Sequence, residues 1–293
     1  GCVRYQYGEL ECQMAILGAA DRSQLAFPDS GETLAEVLSG VELDQQQGLV
    51  GQIYSALWDA IVSVRIKPGR IISESELGEA FKASKTPVRE ALIRLENAGL
   101  VEIIPKSGTY VTPIRIERYI ESCFVRLQLE SGAVRRAAQR NHDVARLVQL
   151  EAILQRQIAA VEADDYERFF NLDQSLHESF FEIAGISGVW DVVKRSQGDV
   201  NRIRHLKRIY NIKRGPLVIA QHKAIVAAIR AGEPDAAEAA LRDHLGSLER
   251  EIDELAAHPD LLAFIETLNT SHARFRGARA PASGLSCYRG RER

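Results

Sequence analysis

A mainly α chain in two parts follows from three features of the sequence. Residues 68–113 pack two helix starts, a helix stop and a β-hairpin into one short, partly basic stretch. After them, apolar residues recur at helical spacing as far as residue 268, with no convincing strand. The 293 residues are 45% hydrophobic, enough for two packed cores. The expected order is an extension over 1–47, read as largely disordered, then a winged helix-turn-helix with a small β-hairpin wing over 48–113. An all-α helical bundle over 114–268 and a basic, disordered tail over 269–293 complete the chain.

Gly1 to Gln13 shows neither helical nor strand period, and the only methionine is Met14, so the first residues are read as an extension outside the fold. Leu49, Ile53, Leu57, Ile61 and Val64 then form the apolar stripe of a helix that Pro68 and Gly69 stop. A short helix from about Glu74 to Phe81 sets Leu77 and Phe81 one turn apart, and Lys82-Ala83-Ser84 supplies a tight turn. Ser84 or Thr86 can cap the next helix. Pro87 fits only in its first turn, where a missing N–H costs nothing, and Val88, Leu92 and Leu95 make its buried stripe. Gly99 is the expected left-handed stop. Val101–Ile104 and Thr109–Thr112, joined through Pro105-Lys106-Ser107-Gly108, read as a hairpin with a lysine at its tip.

Two helices joined by a short turn place the second in the major groove, with its N-terminal residues at the base edges. Here those residues are Lys85, Thr86 and Arg89. Arg89 is the candidate for a bidentate contact to guanine, worth roughly 1–3 kcal/mol of discrimination, while Lys85 and Thr86 can reach phosphates or bases. The wing can lay Lys106 and the backbone of Gly108 against the sugar-phosphate or minor groove. A net charge of −3 excludes a protein that coats nucleic acid generally, so any affinity must come from a local basic surface. An ordinary helical subdomain with a hairpin shares this pattern of elements, and composition alone does not separate the two.

Leu77, residues 84–92 (SKTPVREAL), Leu95, residues 99–103 (GLVEI) and Gly108-Thr109-Tyr110-Val111 resemble the winged-helix domain of the GntR family of bacterial transcriptional regulators. The resemblance implies that Lys85, Thr86, Arg89 and Gly108 occupy DNA-contacting positions. Lys85 stands where the family usually has arginine, and Ser75 where some members place a contacting arginine.

Beyond Ile114, helices are expected near 117–139, 143–163, 165–184, 189–208, 216–231, 235–256 and 260–268. Asn141 before Asp143 marks a start, Gly185 and Gly232 mark stops, and Pro216 and Pro234 lie near first turns. Projected at 100° per residue, Asp173 and His177 fall on the apolar face of Phe169, Leu176, Phe180 and Ala184. His222 falls among Val218, Ile225, Val226 and Ile229, and His244 among Ala237, Leu241 and Leu248. Four polar groups pointing into one interior are costly unless they find partners, and a divalent metal would satisfy all of them. One carboxylate and three imidazoles suit zinc, nickel or a similar ion. Taken singly, each residue has the alternative of a hydrogen-bonded place in the core.

Residues 125–130 (VRLQLE), 173–177 (DQSLH), 221–229 (QHKAIVAAI), 232–237 (GEPDAA) and 243–245 (DHL) resemble the FCD effector domain that accompanies one large branch of the GntR family. That resemblance implies that Asp173, His177, His222 and His244 ligate a metal, and that the metal helps bind a small carboxylate effector. It places Arg126 toward the effector, whereas the residues alone allow an exposed i, i+4 pair with Glu130. Gln221 replaces a glutamate often found before the third ligand. Spacing does not decide whether Arg202, Arg204 or His205 faces the pocket.

The four cysteines, Cys2, Cys12, Cys123 and Cys287, have no paired spacing, so a reducing cytoplasm is expected. No window is long and apolar enough to span a membrane, and no secretory leader pattern opens the chain. The reading that follows is a homodimer on a palindromic double-stranded operator, modulated by a small organic acid. Two alternatives stay open: a metal-dependent hydrolase or lyase, for which no separate general base stands at recognisable spacing, and a metal-free architectural DNA binder.

Overall fold

Thr33 and Glu36 form a reciprocal cap: the Glu36 carboxylate accepts from the Thr33 N–H at 2.6 Å, and Thr33 Oγ1 accepts from the Glu36 N–H at 3.2 Å. They start a one-turn helix, α1 (Leu34–Val37), in the computed structural model, which describes residues 32–44, 46–140, 143–210 and 215–275, with side chains to residue 270. Leu34 and Leu38 are buried in the first core. The end of the segment expected to be disordered therefore belongs to the DNA-binding domain; residues 1–31, Asn141 and the end of the tail lie outside the described residues.

α2 (Leu49–Val62), α3 (Glu74–Ala80) and α4 (Lys85–Asn97) enclose a core in which Ile53, Leu57, Leu77, Val88, Leu92 and Leu95 are buried. Ser84 is the N-cap of α4, in extended conformation, but its side chain makes no capping bond. Gly99 ends the helix with φ +71, as expected. The hairpin is present as β2 (Val101–Ile104) and β3 (Gly108–Val111). A strand absent from the sequence reading, β1 (Ile71–Ile72), completes an antiparallel sheet in the order β1-β3-β2, with Ile71 opposite Tyr110 and Glu102 opposite Tyr110 on the other side.

The second part is helical: α5 (Ile116–Gln139), α6 (Val144–Glu162), α7 (Tyr166–Ala184), α8 (Gly188–Ser196), α9 (Gly198–Ile209), α10 (Gly215–Ala231), α11 (Pro234–Leu245), α12 (Leu248–Ala256) and α13 (Pro259–Phe275). Ala133, Ala137, Leu154, Leu176, Phe180, Ile225, Ile229 and Leu241 meet in its main core. Two expected helices are each broken in two. The span 189–208 divides at Gln197, and 235–256 divides at Gly246, whose φ +79, ψ 174 no helix accommodates. The last helix runs past residue 268 to Phe275, correcting the expected start of a disordered tail at 269, and Asn269 bonds both backbone groups of Ile114. Among the described residues, no helix is long and apolar enough to cross a membrane.

α9 joins the two parts. A Cβ on Gly198 would lie 3.0 Å from Leu100 Cδ2 and 3.3 Å from the Ala98 carbonyl, so only glycine lets the helix start this close to the winged domain. One turn on, the buried Arg202 donates to the Thr112 carbonyl at 2.7 Å and pairs with the buried Asp199. Arg202 thus grips the backbone leaving β3. Arg202→Ala strips Asp199 of its partner in the interior, and the expected loss is about 3–5 kcal/mol, read as a lowered denaturation midpoint. An unchanged midpoint would show that this junction contributes nothing to stability.

Candidate functional site

The first turns of α4 present Lys85, Thr86 and Arg89 to solvent, while Val88, Ala91, Leu92 and Leu95 on the opposite face are buried. The Arg89 side chain is 72% exposed, with its Nε 3.6 Å from Glu74 Oε1. So exposed a pair is weak and yields readily to a stronger partner. Lys106 sits at the wing tip with φ +63, beside Gly108 at φ +133, and is exposed. The five candidate DNA contacts therefore lie on accessible parts of one small domain, three on one helix and two on the hairpin.

In the helical domain the structure brings three of the four candidate metal ligands into one cluster. His177 on α7, His222 on α10 and His244 on α11 each offer a ring nitrogen, and these atoms all lie within 4.8 Å of one another. His222 Nε2 and His244 Nε2 are 3.2 Å apart. Asp173 stands beside the trio, its Oδ1 3.7 Å from His222 Nε2 and its Oδ2 accepting from Arg204 at 2.8 Å.

The far side of each imidazole decides which nitrogen carries the proton. His177 Nδ1 lies 2.5 Å from Glu130 Oε2. Burial opposes charge on Glu130, but Arg126 and then His177 outweigh it and bring its carboxyl down to about 2, so Glu130 can only accept. His244 Nδ1 faces Gln221 Oε1 at 3.2 Å, and that amide is oriented because its nitrogen donates to both the backbone carbonyl and the carboxylate of Asp243. His222 Nδ1 faces Gln157 Oε1 at 2.7 Å. Each Nδ1 faces an acceptor oxygen, an arrangement that suits the tautomer with a bare Nε2, and a ring nitrogen of each histidine lies within 4.8 Å of the other two.

Bare lone pairs turned on one another repel unless something cationic lies between them. His177 Nε2 and Asp173 Oδ1 are buried without a hydrogen-bond partner among the described residues. Two nitrogens bound at about 2.0–2.1 Å to one tetrahedral ion lie roughly 3.3 Å apart, close to the His222–His244 spacing. The residues fit a divalent metal. Without one, a proton on His222 Nε2 would satisfy the His222–His244 pair and leave His177 Nε2 and Asp173 Oδ1 orphaned, at a cost. Burial pushes His222 down to about 3 despite Asp173, and burial followed by His222 and His177 pushes His244 well below the usual imidazole range. Both rings are therefore neutral, as ligation requires. Asp173 is ionised: Arg204, His177 and His222 overcome its burial and hold it well below the usual carboxylate range.

A cavity of about 340 Å³ opens beside His244 and is lined in part by Arg126, Tyr166, Phe169, Arg204 and Lys207. Arg126 is buried with its Nε on Glu130 at 2.7 Å, which rules out the exposed-pair alternative. Of the three residues that spacing left open, Arg204 lines the cavity, Arg202 turns to the domain junction, and His205 packs against Tyr166. Of the residues behind the ligands, sequence reasoning missed Gln157 altogether, weighed Glu130 only as an exposed partner of Arg126 and Gln221 only as a replacement for glutamate, and left Arg204 open. A signal existed for two of them. Glu130 continues the spacing of Ala133, Val134 and Ala137, and Gln157 that of Leu150 and Leu154, so both fall on buried faces.

A winged domain with an exposed recognition helix, joined to a helical bundle with a histidine cluster beside a cavity, defines a DNA-binding regulator of transcription. Sequence comparison gives the same class: residues 49–111 match the family described as bacterial regulatory proteins, gntR family, and residues 121–247 match the FCD domain. The chain belongs to the GntR family of bacterial transcriptional regulators, in the branch with an FCD C-terminal domain. It is 31% identical over 214 residues to the HTH-type transcriptional repressor RspR of Escherichia coli K12, covering 73% of this chain and 93% of that one. A regulator from an unstable DNA locus of Streptomyces ambofaciens is 34% identical over 213 residues, covering 72% and 88%. Among solved structures, E. coli McbR/YncC shares the fold with a TM-score of 0.62 at 21% identity, over 72% of this chain and 99% of that one. The two sequence relatives are named as transcriptional regulators, which favours regulation over the hydrolase or lyase alternative.

Proposed function

We propose that the chain is a metal-dependent acid sensor that represses transcription as a homodimer, releasing its operator when a small carboxylate enters the cavity beside the histidine cluster. The observation that carries this reading is the convergence of three imidazoles and an unpartnered Asp173 oxygen at the edge of a cavity. Zinc or nickel held by His177, His222, His244 and Asp173 would supply positive charge and an open position for a carboxylate. Arg126 supplies a second cation at the same end, with guanidinium N–H groups suited to a carboxylate. Lys85, Thr86 and Arg89 read the major groove, and Lys106 and Gly108 meet the backbone or minor groove. Repression is taken from the name of RspR. The homodimer is supported by Phe124 on α5 and Val192 on α8, two large apolar side chains exposed by 50% and 47% on helices that pack together. A regulator of this kind works in the cytoplasm.

Thermal melting of the metal-loaded protein against a panel of organic acids tests the reading. An acid at about 100 times its dissociation constant should stabilise the protein by roughly 2.7 kcal/mol, a rise of several degrees. A panel in which no acid raises the melting temperature would remove the sensor reading.

A further inference from the structure

The cavity has a second polar end. Tyr119, Cys123 and Arg126 line it at i, i+4 and i+7 of α5, so Tyr119 and Arg126 are separated by about 10 Å along the helix axis. α9 repeats this grading, with Arg204 lining the cavity near Asp173 and Lys207 one turn further on. At the end remote from the histidines, the Tyr119 hydroxyl donates to Glu251 Oε2. Lys207 Nζ lies 3.7 Å from the same oxygen and 3.0 Å from Glu254 Oε2, with the side chains of Lys207 and Glu251 only 10% and 12% exposed. Glu251 Oε1 accepts no hydrogen bond among the described residues. Val161, Phe169, Val200 and Leu245 give the cavity apolar wall, and Asp164, Asp165 and Arg208 also line it. Burial, then Glu251, raises the Cys123 thiol to about 12, which makes it a neutral piece of wall rather than a nucleophile.

A largely buried carboxylate with an oxygen to spare calls for a donor, and the Lys207 ammonium beside it calls for a further acceptor. A hydroxyl serves both at once. A ligand ammonium would satisfy Glu251 but sit against Lys207, and a second carboxylate would face Glu251 and Glu254. Resting on the reading of the cavity as an acid site, we infer that Glu251 and Lys207 form a distal hydroxyl subsite. The ligand is then a carboxylic acid with a carbon chain and a hydroxyl at the end far from its carboxylate. Glu251 is its specificity-determining residue.

Calorimetric titration of the metal-loaded full chain with acetate, hexanoate, 6-hydroxyhexanoate and 6-aminohexanoate tests this. 6-Hydroxyhexanoate should bind at least about ten-fold more tightly than hexanoate, with 6-aminohexanoate weaker than both. Glu251→Ala should abolish the hydroxyl preference, so that hexanoate and 6-hydroxyhexanoate bind alike. A Tyr119→Phe/Glu251→Ala double variant, which leaves no orphaned phenol, should behave in the same way. Equal binding of hexanoate and 6-hydroxyhexanoate, tightest binding of the amino acid, or a preference that survives loss of Glu251 would overturn the subsite. If acetate binds and both longer acids fail, the distal subsite alone falls. If no acid binds, acetate included, the acid-site reading falls with it.

Discussion

Replacing His177 and His222 together with alanine abolishes stoichiometric metal binding and lowers the melting temperature of the protein as isolated by about 10 °C. The reason is linkage: an ion held at 1,000 times its dissociation constant contributes roughly 4.1 kcal/mol to the native state, at about 2–4 °C per kcal/mol for a chain of this size. The double variant keeps one imidazole and one carboxylate, too few donors for a tight site. Protons should mimic the mutation. His222, held near 3, and His244, pushed by burial well below the usual imidazole range, refuse protons that unfolded chains accept from pH 6.5 downward. The unfolded state then binds more protons, so stability falls as the pH drops through 6.5 toward 3. Glu130, with its carboxyl near 2, adds a loss of the same sign below about 4.5. Metal release follows the same direction, since protons compete for Nε2. Elemental analysis and melting curves at pH 7.5 and 5.5 check both parts. A double variant that melts with the native protein and carries as much metal would show that these residues are ordinary core histidines.

Arg89→Ala is expected to remove sequence preference while leaving a weak, salt-dependent affinity for any duplex. One bidentate guanine contact is worth about 1–3 kcal/mol, and a dimer on two half-sites would lose it twice, a drop of roughly 30-fold to about 25,000-fold. Lys85 and Lys106 still attract phosphate in that variant, so nonspecific binding survives. Among the described residues the one partner of Arg89 is Glu74, in a solvent-exposed pair whose loss costs little. The variant therefore folds, and the comparison is clean. Competition binding between an operator and a scrambled duplex measures it; retained discrimination would place the reading head elsewhere.

Much of this was legible because it depends on local period. The stripes of α2 and α4, the Gly99 stop and the inward projections of Asp173, His177 and His222 all follow from 3.6-residue spacing. What depends on tertiary packing was not. β1 is two residues long and exists only because β3 offers it an edge. The break at Gln197 falls within a continuous apolar pattern and is set by the close approach of Gly198 to Leu100. The break at Gly246 had its glycine in plain view. So did α1, whose Thr33-x-x-Glu36 cap is a sequence signature of a helix start. Asp173 was correctly placed inside, but its pairing with Arg204 needs two helices distant in sequence to be brought together.

The central claim is that acid binding and operator binding are coupled through the metal. The direct measurement is operator affinity by fluorescence anisotropy at fixed salt, with and without a stabilising acid, for metal-loaded and metal-stripped protein. A coupling of 1–3 kcal/mol would weaken operator binding about 5–150-fold when acid is added to the loaded protein and leave the stripped protein unaffected. An acid that binds the loaded protein yet leaves operator affinity unchanged would contradict the account.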